Sequence, residues 1–240
     1  MNKGRYVFSQ LCDFLPHDYF KWLVKKYNGD KYVKKFSCWN HLLVMLFGQL
    51  SHLESLRDLT TTLSAHDRLL KHMGMGSAVS RSNLSKANEI REVAIFEYTA
   101  KRMIEAATRA WAGEGKEELS HFLVMCMHSI LEIEAMDIAI LYKNRWQVEL
   151  FFKWMKQHLR IKEFYGTSEN AVKIQLYTAL TAYCLVALVK KTLSIQKDTY
   201  EMLRVLTVSL FVKTDLKVLF EKQETKPRLQ NVTELNLNLF

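Results

Sequence analysis

Only two prolines and eight glycines interrupt the 240 residues of this chain. Proline and glycine are the strongest local punctuators of a polypeptide, and folds built from many short strands and tight turns need them often. Their scarcity predicts long helices and a mainly α chain with few or no strands. It also excludes collagen-like, linker-dominated and low-complexity chains. With 49% hydrophobic and 25% charged residues, the chain has the make-up of a globular protein, enough for one large domain or two modest ones.

Apolar residues at helical spacing place the elements. Tyr19, Phe20, Leu23, Val24 and Tyr27 form one face of a helix over 17–28, stopped by Asn28-Gly29-Asp30. Ser37 is positioned to cap the next, with Trp39, Leu42, Leu43, Leu46 and Phe47 on its apolar side. Two short helices, 55–63 and 66–73, end at Gly74-Met75-Gly76, and a further helix from Ser80 runs, with a break allowed, to Trp111. Past Gly113-Glu114-Gly115-Lys116, the apolar run 122–127 is open to either strand or helix. Helices follow over 132–160, 174–189, 199–211 and 215–220. The expected organisation is a helical N-terminal, DNA-binding-like domain over 1–112, a junction over 113–130 and a C-terminal portion over 131–240.

The net charge of +9 is unevenly spread: residues 1–113 hold 17 basic and 10 acidic side chains. A concentrated positive surplus attracts polyanions, nucleic acid first and an anionic membrane surface second. The four cysteines, Cys12, Cys38, Cys126 and Cys184, lack the close pairing of a zinc ribbon or dithiol site and suit a reducing cytoplasm. No signal peptide is expected, because Gln10 and Asp13 break the apolar stretch before Pro16. The apolar segment 174–189 contains Gln175 and three threonines and is short for a bilayer span, so it reads as a buried core helix and no membrane partner is expected.

The two short helices, the glycine turn and the polar helix after Ser80 fit a helix-turn-helix variant. Leu84, Ala87, Ile90 and Ala94 fall on one side; Arg81, Ser82, Ser85, Lys86 and Glu89 point the other way. Guanidinium and ammonium groups meet phosphates or guanine edges, and hydroxyls bond phosphate oxygens, so Arg81, Ser82, Ser85 and Lys86 are candidate DNA contacts. The same pattern also describes an ordinary solvated helix face with a serine cap.

A second polar stripe lies at 141–156. Tyr142, Arg145, Glu149 and Lys156 share one side of a helix, opposite Val148, Phe151, Met155 and Leu159. Arg and Lys can hold phosphate, Tyr can bond or stack on a nucleotide, and Glu can ligate a divalent metal. A solvated face with a Glu149–Lys153 pair is the plainer reading. The four residues and their spacings resemble the YREK signature of bacterial insertion-sequence DDE transposases. The flanking segments 134–139 and 165–172 resemble that group too, as does the helical N-terminal half.

The resemblance implies Mg²⁺-dependent phosphoryl transfer on the double-stranded ends of a transposon, in an RNase H-like domain where two Asp and one Glu hold two metal ions. By motif position Glu149 is the third carboxylate and metal ligand, while Tyr142, Arg145 and Lys156 contact the transposon-end DNA. The two aspartates find no matching positions: Asp13, Asp18, Asp30, Asp58, Asp67, Asp137, Asp198 and Asp215 all sit in other settings. Residues 112–130 are also too few for the strands and helices between the two matched regions, since a single βαβ unit takes about 30 residues. An internal deletion accounts for both gaps. One carboxylate cannot make a two-metal clamp, so the chain is expected to bind DNA without cutting or joining it, with Mg²⁺ not productively held. It is expected to associate with transposon ends and with an intact transposase or a second copy of itself. A working enzyme completed by Asp137 and Glu134, and a decayed gene product, are the alternatives.

Overall fold

The computed structural model describes residues 4–112 and 164–221. Its helices are α1 (Val7–Cys12), α2 (His17–Lys26), α3 (Cys38–Leu50), α4 (Leu56–Ala65), α5 (Asp67–Leu70), α6 (Arg81–Ile90) and α7 (Val93–Trp111), then α8 (Glu169–Thr192), α9 (Thr199–Ser209) and α10 (Leu216–Phe220). A 3₁₀ turn, Lys71–Met73, continues α5. Among the described residues there is no strand; the one isolated bridge pairs Tyr6 with Lys213. The mainly α expectation is met.

Capping chemistry fixes where many helices begin. Ser37, Ser55, Ser80 and Ser168 each accept a hydrogen bond from the backbone N–H three residues on, and Asp198 and Asp215 cap α9 and α10. The break allowed after Ser80 falls at Arg91 and Glu92, whose extended backbone separates α6 from α7. α1 is an element the apolar pattern did not announce. At six residues it is too short for periodicity to reveal, and long-range bonds hold it: the Gln10 amide donates to Arg5 O and Thr214 O and accepts from Leu216 N.

α8 is the centre of the molecule. It packs along α7 and also meets α3, α6, α9 and α1. Fourteen of its 24 residues are buried, around most of its circumference, which marks a core helix rather than an amphipathic surface one. Its polar residues are satisfied locally. Thr178 and Thr181 donate to the carbonyls of Ile174 and Tyr177 at 2.7 and 2.8 Å, and Gln175 Oε1 accepts from Tyr165 N at 2.7 Å. By length and composition α8 could cross a membrane, yet 72% of its most apolar window is buried inside the fold. It is the buried core helix expected of 174–189. α3 is similarly enclosed, with eleven of thirteen residues buried, so the two helices together supply much of one continuous core.

Candidate nucleic-acid interface

α6 is short and polar, so its position depends on what grips it. The buried side is formed by Leu84, Ala87, Asn88 and, just past the helix, Arg91, a spacing of i, i+3, i+4 and i+7. Asn88 Oδ1 lies 2.6 Å from Nε2 of the fully buried His41 on α3, so the neutral imidazole donates to the amide. Burial and the nearby Arg91 charge push the His41 pKa down to about 3. The Arg91 guanidinium is itself buried. It donates to Ser37 O at 2.8 Å and to Phe36 O, and lies 4.9 Å over the Phe36 ring. From α8, Asn170 Nδ2 donates to Asn88 O at 2.9 Å and Arg91 O at 2.8 Å, satisfying two carbonyls at the end of α6.

The N-terminal approach is also fixed. Gly74 and Gly76 adopt φ of +83° and +77°, a conformation that suits glycine. Asp67 Oδ1 then accepts from Ala78 N at 2.8 Å, tying the loop back to α5 before Ser80 caps α6. The helix is thus held at both ends while its outer side faces solvent.

Arg81, Ser82, Ser85 and Lys86 are all exposed and line one shallow surface groove with Glu89 and Ile90. All four expected contacts are brought together, and the order α4, α5, glycine turn, α6 is present, with α4 packed on α6. Ile90 corrects the expected apolar side: it is 66% exposed, because Asn88 and Arg91, not Ile90, turn inward. The spacing of Asn88 from Leu84 carried that signal, but its polarity masked it.

Tyr142, Arg145, Glu149 and Lys156 lie outside the described residues, as do Glu134 and Asp137. Of the remaining aspartates, most hold the fold. Asp13 binds Arg5 at 2.6 Å, Asp30 accepts from Cys38 N, Asp58 accepts from Ser55 Oγ, Asp67 secures the loop, and Asp198 and Asp215 are caps. Asp18 is exposed beside His17. Among the described residues no three His, Cys, Asp or Glu side chains gather to hold a metal ion.

Comparison with known proteins gives two family matches: a transposase DDE domain over residues 46–185, and a domain of unknown function (DUF4372) over residues 3–76. The first spans α6 and the 141–156 stripe. Similar curated proteins carry transposase names. The Sinorhizobium fredii protein y4zB is 40% identical over 90 residues, covering 38% of this chain and 23% of its own. A Geobacillus stearothermophilus protein named for insertion sequence element IS5377 is 46% identical over 57 residues, 24% of this chain and 15% of that one. A Synechocystis protein named for element IS4SA is 43% identical over 60 residues, 24% and 18% of the two chains. The matches thus span under a quarter of the length of each of these relatives. No solved structure matches the chain.

Proposed function

Because the chain belongs to the transposase DDE family, we propose that it binds the double-stranded ends of an insertion sequence through α6 and does not cut or join them by itself. One observation carries the binding half: a helix clamped at both ends presents Arg81, Ser82, Ser85 and Lys86 together on an open face. A pre-positioned polar helix can enter a groove without first ordering itself, and its cations release counterions from phosphates. Tyr142, Arg145 and Lys156 add further contacts to the terminal DNA in this reading, and Glu149 is the single surviving family carboxylate. Bound at those ends in the cytoplasm, alone, as a pair or beside an intact transposase, the chain blocks productive assembly.

The absence of catalysis is supported by how the described aspartates are spent. Asp30 and Asp67 anchor loops, Asp198 and Asp215 cap helices, and Asp13 and Asp58 bond to Arg5 and Ser55, so each of the six already has a partner in the fold. The family's two metal ions activate the attacking oxygen and stabilise the leaving one, which needs two further acids beside Glu149. An internal deletion between the DNA-binding half and the end of the catalytic domain accounts for their loss.

A gel-shift titration against the terminal inverted repeats of the parent element tests the binding half. Tighter binding to the repeats than to random duplex is expected. Arg81→Ala should weaken it by about 5- to 150-fold if it reads a base, and Lys86→Ala should lower the salt slope by about one if it meets a phosphate. Equal affinity for random duplex overturns the reading. Strand transfer with Mg²⁺ or Mn²⁺ that disappears in Glu149→Gln overturns the inactive half and makes the chain a working enzyme.

A further inference from the structure

The outer surface of α2 and α7 carries a run of aromatic rings interleaved with cations. Tyr19 and Trp22 stack with ring centres 5.7 Å apart and 20° between planes; Tyr27 and Tyr98 stack at 6.2 Å and 16°. Lys26 Nζ bridges the two pairs, 5.0 Å from Trp22, 5.2 Å from Tyr27 and 5.7 Å from Tyr98. Arg102, half-exposed and paired with Glu105 at 3.3 Å, covers Tyr19 at 5.8 Å at one end; Lys101, mostly buried and paired with Glu97, covers Tyr98 at 5.2 Å at the other. Tyr19 and Tyr27 rest against the core, so the run is anchored, while Trp22 is 51% and Tyr98 37% exposed. Residues 17–35 also hold six lysines against Asp18 and Asp30, and Asp30 is occupied by Cys38 N.

We propose that this strip on α2 and α7 is a binding surface for single-stranded DNA, with unpaired bases stacking on Trp22 and its neighbouring tyrosines while the exposed Lys26, with Arg102 at the edge, meets the phosphates. Every base has a π face and every linkage a negative charge, so alternating rings and cations match a single strand whatever its sequence. A duplex hides those base faces in its own stack, and the strip therefore favours unpaired over paired strands. An anionic membrane fits less well. A helix lying in a membrane interface needs an apolar face to bury, and that of α2, Phe20 and Leu23, is already in the core. The strip stands on different elements from the α6 face and does not depend on that face reading a terminal repeat.

Fluorescence anisotropy of the full chain with labelled oligo-dT is the test, run beside labelled duplex and phosphatidylserine vesicles. Oligo-dT is expected to bind, Trp22→Ala to weaken it about 5- to 100-fold, and Trp22→Phe to retain most of the affinity. Lys26→Gln should lower the salt slope by about 0.7. A loss in Trp22→Ala that is confined to oligo-dT, with terminal-repeat duplex binding measured beside it, separates failure here from failure of the terminal-repeat reading. Because Trp22 is half exposed, unaltered helical circular dichroism is expected in both Trp22 variants. Equal oligo-dT affinity in Trp22→Ala and the parent overturns the proposal, as does binding to vesicles that is lost with Trp22 while oligo-dT fails to bind.

Discussion

His41 and Asn88 show how single side chains set the place of a whole surface. The imidazole is buried against Phe96 and Phe36, and its one bond to Asn88 holds α6 to α3. Asn88→Ala leaves Nε2 without its acceptor and should cost about 1–3 kcal/mol in urea unfolding. The His41 pKa lies near 3 in the fold against about 6.5 in an unfolded chain, so acid favours the unfolded state. This contribution is complete above about pH 6.5 and falls by about 1.4 kcal/mol per pH unit from there towards pH 3. A stability–pH titration should show that slope, and His41→Gln should remove most of it; an unchanged slope sinks the assignment. These residues were the least legible in the sequence. Asn88 and Arg91 carry polar groups, and only the tertiary partners Ser37, Phe36, His41 and Asn170 make their burial affordable.

Helices were far more readable than their neighbours. Ser37 and Ser80 announced α3 and α6, because a hydroxyl that satisfies an orphan N–H is a local device needing no knowledge of the rest of the fold. α1 lacked any such device, since Tyr6 contributes no side-chain cap and two of the three bonds of the Gln10 amide reach residues about two hundred positions away. Of the two groups of expected DNA-contacting residues, the α6 group emerges together; the Tyr142–Lys156 group lies outside the described residues. Ser80→Ala should lower stability by about 0.5–2 kcal/mol with an unchanged urea m-value. Asn170→Ala frees two carbonyls at the end of α6 and should speed amide hydrogen exchange there while sparing α3. Uniform acceleration across both helices would show that Asn170 holds the whole fold, not one end of one helix.

At the scale of the molecule, residues 4–112 and 164–221 share a core, with α8 packed along α7 and the Trp111 indole donating to Ala187 O at 3.3 Å. A fragment ending at residue 112 lacks the helix that covers α3 and α7. It should bind a hydrophobic dye and melt without a cooperative transition, whereas the described helices of the intact chain should melt together. A fragment that melts sharply at the parent's midpoint would contradict this packing. The same core sets a timetable for synthesis. When Trp111 leaves the ribosome, 81 residues must still be added before the end of α8 exists, about 4–16 s at ordinary elongation rates. Throughout that wait the nascent half displays the surfaces α8 will cover, which should make it a client for chaperones and a target for proteases until α8 docks.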